Sequence, residues 1–269
     1  MSLKYYCPLW GNKLPFNKFC QRVKQAGYDG IEMDLPLDLK EKNIVRTTLE
    51  KNGLSLIGQY WQSIEKNFIA HSKNYANYLY HLASANPALI NAQTGKDYFS
   101  FEQNMRLITL ANKISDETGV EIVHETHRGK FLYNIPVFKR SVQEDKSINI
   151  TLDISHWCNV HESYLEDQKD GVQLAINHTR HLHARIGNTQ SAQVNDPRAP
   201  EWKDTVNKFL GWWDRVILTH SRKKKTLTIT TEFGPFPYMP TAPYTQKPLS
   251  DQWELNLFML QLLKTRYSR

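Results

Sequence analysis

The chain has few cysteines and lacks a long apolar segment. Among its 269 residues only Cys7, Cys20 and Cys158 are cysteines, and they are widely spaced and odd in number. This pattern excludes a disulfide framework and a Cys-x-x-Cys metal knuckle, so we predict reduced, structural thiols. Since no apolar run approaches the roughly 20 residues of a transmembrane helix, we predict no membrane span. The N-terminal residues also lack a basic segment followed by a long apolar stretch, which favours a cytoplasmic protein without a secretory signal.

The charge pattern does not favour a nucleic-acid partner. The net charge is +7, and its densest run is the RKKK segment at 222–225. That run directly precedes a predicted strand, so in a parallel barrel it lies at the N-terminal rim, away from the face that carries chemistry. We interpret it as a solvated patch. A Gly-rich phosphate-binding motif is also absent, which leaves open whether a substrate carries a phosphate.

Short apolar runs alternate with helical patterns along the whole chain. Eight runs predict strands, at 5–10, 30–35, 54–61, 88–94, 121–127, 149–157, 181–187 and 226–233. Helical periodicity lies between them, for example at 101–114 before Gly119. This alternation implies a parallel sheet, and eight units favour a sheet closed into a barrel over an open sheet. We therefore predict one α/β domain over residues 1–269, a (β/α)8 TIM barrel, with a long polar loop at 188–200 on the active-site face.

Each of the last four predicted strands ends in a group that can bind a metal. These groups are Glu125, Asp153, His183 and Glu232. A single carboxylate at a strand end is more often a helix cap or an ion-pair partner, but four consecutive strands with such ends favour a site. Three carboxylates and one imidazole suit Mn2+ best, with Mg2+, Co2+ or Zn2+ as alternatives.

Further polar and aromatic side chains lie near the same strand ends. His156 follows Asp153 by three residues and could contact substrate or be structural. Trp10 could form an apolar wall against a sugar ring, although plain packing explains it nearly as well. His124 and His181 are expected to pack or to cap.

The four strand-end residues resemble the metal ligands of the xylose isomerase-like barrels. This family includes sugar isomerases and epimerases, hydroxypyruvate isomerase, inosose dehydratase and the endonuclease IV nucleases. Its metal is held by Glu, Asp, His and Glu after strands five to eight, which match Glu125, Asp153, His183 and Glu232 in order. The resemblance covers nearly the whole chain in architecture, with its specific motifs between Glu125 and Gly234.

The chain departs from the family pattern in places that affect its function. The nuclease branch has Asp-x-His after strand seven, where this chain has Asp196-Pro197-Arg198, and Arg stays protonated and cannot bind a metal. Gln59 and Gln93 stand where the nucleases have histidines. These departures imply one metal rather than several and argue against nucleic-acid cleavage. Xylose isomerase itself has Glu-x-Lys after strand five, where His127 replaces the lysine.

The resemblance implies a metal-dependent isomerase or epimerase for a sugar or sugar phosphate, with proton transfer through a metal-stabilised enediolate. Glu125 and Glu232 would act both as ligands and as acid/base groups. The expected substrate-binding residues are His156, Arg185, Asp196, Arg198, Trp10, Gln59, Gln93 and His127. The alternatives are a dehydratase of a keto-sugar or inosose, a nuclease, and a non-catalytic sugar-binding barrel. The expected partner is a small molecule, and a homo-oligomer is possible.

Overall fold

Eight parallel strands alternate with helices and close into a barrel. The computed structural model describes residues 2–268. The strands are β1 Leu3–Pro8, β2 Gly30–Met33, β3 Ser55–Tyr60, β4 Ile90–Ala92, β5 Ile122–Glu125, β6 Ile150–Leu152, β7 Thr179–His183 and β8 Leu227–Thr230. Each pairs with the next in chain order, and β8 pairs with β1 to complete the ring. The predicted (β/α)8 fold is confirmed.

The helices surround this ring. They are α1 Phe16–Gln25, α2 Leu39–Lys51, α3 Phe68–Ala83, α4 Phe101–Thr118, α5 Ile135–Glu144, α6 Ile154–Val160, α7 Lys169–His178, α8 Lys203–Lys223 and α9 Gln252–Tyr267. Local signals define α4 best: Ser100 and Gln103 form a reciprocal capping box, and Gly119 ends the helix in the left-handed region with φ 71°. In the described part of the chain, no helix is long and apolar enough to cross a membrane.

All eight strands end earlier than the sequence pattern indicates, two of them by at least four residues. The run at 149–157 is a strand only to Leu152, because the side chain of Asp153 accepts a hydrogen bond from the backbone N–H of Ser155 at 3.0 Å and starts α6. His156 is therefore helical. The run at 181–187 is a strand only to His183, so Arg185 lies in the loop beyond β7.

The barrel interior has an apolar layer and a polar layer. Tyr6, Ile57, Leu89 and Val123 form a small apolar cluster of their own. On β3, β4 and β5 the residues two positions later, on the same strand face, are polar: Gln59, Asn91 and Glu125. The polar layer therefore lies toward the C-terminal ends of the strands, where TIM barrels keep their active sites.

Candidate metal centre

The four predicted ligands meet at the C-terminal mouth of the barrel. Glu125 is the last residue of β5, Asp153 follows β6, His183 ends β7, and Glu232 lies two residues beyond β8. One ligand atom from each lies within 4.8 Å of the other three. All four side chains are buried. Four consecutive strands thus bring one imidazole and three carboxylates together, and we call these residues the metal cup.

The cup contains polar atoms that the protein itself does not satisfy. Glu125 Oε1, Glu232 Oε2 and His183 Nδ1 are buried and make no well-aligned hydrogen bond within the described chain. His183 Nδ1 lies 2.7 Å from Glu232 Oε2 and 3.7 Å from Glu125 Oε1. A buried polar atom without a partner costs about 1–3 kcal/mol. Three such atoms facing one another, together with Asp153, fit the oxygen-rich coordination of a divalent cation.

Arg185 and His156 lie directly against the cup. The guanidinium of Arg185 pairs with Asp153 Oδ2 and lies 3.5 Å from Glu232 Oε2. It also lies 2.7 Å from His156 Nε2 and stacks over the ring of Tyr238, with 4.4 Å to the centroid. Arg185 lies in a loop rather than on a strand. Its side chain nevertheless contacts the cup, where a substrate-binding residue is expected.

The two glutamates of the cup have opposite pKa shifts. Burial raises the pKa of Glu125 to about 8, and the negative charge of Glu232 adds to this effect while His183 opposes it. Burial also acts to raise the pKa of Glu232, but the positive charges of Arg185 and His183 outweigh it and lower the pKa. The two carboxyl groups therefore differ in electrostatic environment although they face the same cup.

A cavity of about 590 Å³ opens above the cup. It is lined by Leu9, Trp10, Asn12, Leu14, Phe16, Met33, Asp34, Gln59, Trp61, Gln93, His127, Glu232 and Tyr238. Four of the predicted substrate-binding residues thus line it, namely Trp10, Gln59, Gln93 and His127. The ring of Trp10 lies 6.3 Å from that of His183. Trp61 donates its indole N–H to Asp34 at 3.0 Å, which fixes its orientation at the rim.

Asp196 and Arg198 are not brought to the cavity. Arg198 donates from Nε and Nη2 to the two carboxylate oxygens of Asp196, at 2.8 and 2.6 Å. This bidentate pair is partly exposed, and neither residue is among those that line the cavity. In this structure each side chain is satisfied by the other, and the expectation that they bind substrate stays a prediction.

The sequence patterns missed three residues at this site: Glu32, Asn91 and Tyr238. Glu32 is fully buried beneath the cup and contacts His183 and His181. A signal for it exists, since a carboxylate in the middle of an apolar strand run is unusual in a sheet buried on both faces. Tyr238 lies in the irregular segment after β8, where no periodic pattern marks it.

Comparison with known proteins shows which fold this is. No protein-family model and no curated protein matches the chain. Among solved structures it is similar to D-allulose 3-epimerase from Methylomonas sp. in complex with D-allulose (TM-score 0.66, 15% identity, 99% of this chain and 98% of that chain). It is also similar to the probable 3-DHS dehydratase AsbF from Bacillus anthracis (0.63, 16%, 98% and 99%) and to endonuclease IV from Thermus thermophilus (0.60, 14%, 97% and 98%).

These structures share the xylose isomerase-like TIM-barrel fold, so the predicted resemblance is confirmed at the level of fold. The three proteins are named for three different reactions on one architecture. The fold therefore does not select the reaction, and an assignment has to come from the site.

Proposed function

We propose that this barrel is a divalent-metal-dependent isomerase or epimerase that moves a proton at a carbon beside the carbonyl of a sugar. One observation carries the proposal: Glu125 and Glu232 each direct a buried oxygen that makes no well-aligned hydrogen bond into a cup that also contains Asp153 and His183. Mn2+ is the first candidate, followed by Mg2+, Co2+ and Zn2+. When bound, the metal would polarise the substrate oxygens and acidify the neighbouring C–H bond.

The two glutamates supply the proton transfers in this proposal. They project from β5 and from the end of β8, three strands apart around the ring, and so reach the cup from different sides. One removes a proton from carbon while the other returns one, which gives either epimerisation or a ketose–aldose shift. Arg185 and His156 lie beside Asp153 and would stabilise negative charge that develops on a substrate oxygen.

The cavity walls favour an unphosphorylated sugar. None of the described residues that line the cavity is a lysine or an arginine, and Asp34 and Glu232 are acidic. The guanidinium beside the cup, that of Arg185, is already paired with Asp153. Trp10 and Trp61 offer flat apolar surfaces to a sugar ring. The amides of Gln59 and Gln93 can bond its hydroxyl groups.

A substrate screen in deuterated water tests the proposal. Metal-replete protein is incubated with free ketoses, aldoses and inososes and with the phosphates of the sugars. We expect a free sugar to give an isomer or epimer with deuterium incorporated at one carbon. A product that has lost water would instead identify a dehydratase, and cleavage of an abasic duplex would identify a nuclease. No deuterium exchange, no loss of water and no cleavage of the duplex would together leave only a binding protein.

The free, buried state of the three cysteines also supports a cytoplasmic location. Fractionation of the native host checks this part of the proposal.

A further inference from the structure

We propose that Glu32 is the positioning residue of the metal centre: its carboxylate holds the Nε2–H of His183 and so directs the Nδ1 lone pair of that ring into the cup. Glu32 lies on β2, outside the four strands that carry the ligands. The inference rests on the proposed metal site, but it does not depend on which reaction that site performs.

Both carboxylate oxygens of Glu32 have hydrogen-bonding neighbours. It is completely buried, and both of its oxygens lie 3.0 Å from His183 Nε2. His181 Nε2 lies 3.1 Å from Oε2, and Thr230 donates its hydroxyl to the same oxygen at 2.5 Å. Asn91 donates its amide N–H to Oε1 at 2.9 Å. Four neighbouring groups thus share one carboxylate at the centre of the barrel.

An ionised carboxylate can only accept, so the imidazole nitrogen that faces it must carry a hydrogen. A histidine binds a metal in its neutral form, and in that form the other nitrogen has the free lone pair. For His183 the nitrogen facing Glu32 is Nε2, and the other is Nδ1, which faces Glu232 and Glu125 without a well-aligned hydrogen bond. Glu32 therefore selects the tautomer in which His183 can bind a metal through Nδ1, as carboxylates behind metal-binding histidines do.

Asn91 extends this control to a second ligand. The Nδ2 group that bonds Glu32 also lies 3.2 Å from Oε2 of Glu125. Glu125 is thereby held through one oxygen, and its other oxygen, Oε1, remains unpaired in the cup. One buried carboxylate thus fixes, directly or through Asn91, the donor atoms of His183 and Glu125.

A second metal between Glu32, His181 and His183 is the competing interpretation, because these three groups are also close enough to bind an ion. The hydrogen bonds argue against it. The Glu32 oxygens, His181 Nε2 and His183 Nε2 all have protein partners, whereas Glu125 Oε1 in the cup has none. Metal stoichiometry separates the two interpretations.

The test begins with the wild-type protein loaded with Zn2+, which is diamagnetic. Nitrogen-15 NMR of the histidine rings, with the His183 signals assigned from a His183→Gln spectrum, reports which nitrogen binds the metal. We expect metal on Nδ1 and a hydrogen on Nε2, with one ion per chain by elemental analysis. Metal on Nε2, or two ions per chain, would overturn the proposal.

The second step replaces Glu32 by glutamine, which keeps the shape but offers one oxygen to four donor groups. The amide NH2 of the glutamine then faces at least one of these four donors. The Nε2–H of His183 thereby loses a fixed hydrogen-bond acceptor. We expect Mn2+ affinity by calorimetry to fall about 10–100-fold, with partial recovery in Glu32→Asp. Glu121→Gln is the matched control, since Glu121 is partly exposed and pairs with Arg180, and it should bind Mn2+ as the wild type does.

Unchanged Mn2+ affinity in a folded Glu32→Gln variant contradicts the proposal. If that variant does not fold, the wild-type NMR measurement still decides the matter. Failure of the wild type to bind any metal would remove both this inference and the proposed function. Metal binding through Nδ1 without turnover of any sugar would remove the proposed function alone.

Discussion

Replacing Glu125 with glutamine should leave the metal-free protein folded while removing most of the thermal stabilisation that a metal provides. Glu125 is a buried carboxyl group whose Oε1 has no hydrogen-bond partner in the described chain, and burial raises its pKa to about 8. A carboxyl group with that pKa is mostly neutral near pH 7, so a neutral amide of the same shape places no new unfavourable charge or volume there. We therefore expect the metal-free variant to have a Tm equal to or above that of the metal-free wild type.

The effect of metal on the wild type has a calculable size. A ligand that binds only the folded state stabilises it by about 2.7 kcal/mol at 100 times its Kd. For 269 residues, with an unfolding entropy of about 2.1 cal/mol/K per residue, this raises Tm by about 5 °C. If the variant binds about 100-fold more weakly, the same metal concentration gives about 0.4 kcal/mol. The expected rise is then about 1 °C.

Differential scanning fluorimetry after chelation and Mn2+ titration measures both shifts. Glu121→Gln again serves as the control, because the same substitution is made far from the cup, on a carboxylate that pairs with Arg180. It should show the wild-type rise. If the wild type shows no metal-dependent rise in Tm, the cup does not bind the metal. If Glu125→Gln retains the full wild-type rise in Tm, Glu125 is not one of the metal ligands.

Three further substitutions distinguish the roles of other residues. Glu232→Gln should lower kcat/KM by about 10²–10⁴-fold without loss of fold, as removal of an acid/base group does; wild-type turnover in steady-state assays would contradict the two-glutamate scheme. Trp61→Ala should raise KM and change kcat little, because the half-exposed indole lies at the cavity rim; a lower kcat with unchanged KM would refute that placement. Arg198→Ala should leave both constants nearly unchanged and cost under about 1 kcal/mol of stability, since it removes only a partly exposed pair with Asp196; a tenfold loss of kcat would show that Arg198 does reach the substrate.

The fold and the four cup residues were accessible from the sequence for clear physical reasons. Alternating strand and helix patterns indicate a parallel barrel, and the C-terminal ends of parallel strands converge on one face. Local chemistry altered some strand bounds, because the cap that Asp153 provides starts a helix where apolar periodicity continues the strand. Element type was thus easier to predict than element ends.

The polar network beneath the cup was not predicted. His181 was expected to pack or to cap, yet its Nε2 lies 3.1 Å from Glu32. Which distant strands face each other across a barrel depends on its closure and stagger, and local sequence does not encode that pairing. Arg198 was expected to bind substrate, and its side chain pairs with Asp196 instead of lining the cavity. A position in an active-site loop does not fix where a long side chain points.

The proposed proton transfer at the metal cup is tested by deuterium incorporation from solvent into a sugar substrate, compared in the metal-replete wild type, the chelated wild type and Glu125→Gln. We expect exchange at a single carbon beside the carbonyl in the metal-replete wild type, with strong loss of exchange in the other two samples. Exchange that persists at the wild-type rate after chelation, or in Glu125→Gln, would contradict it.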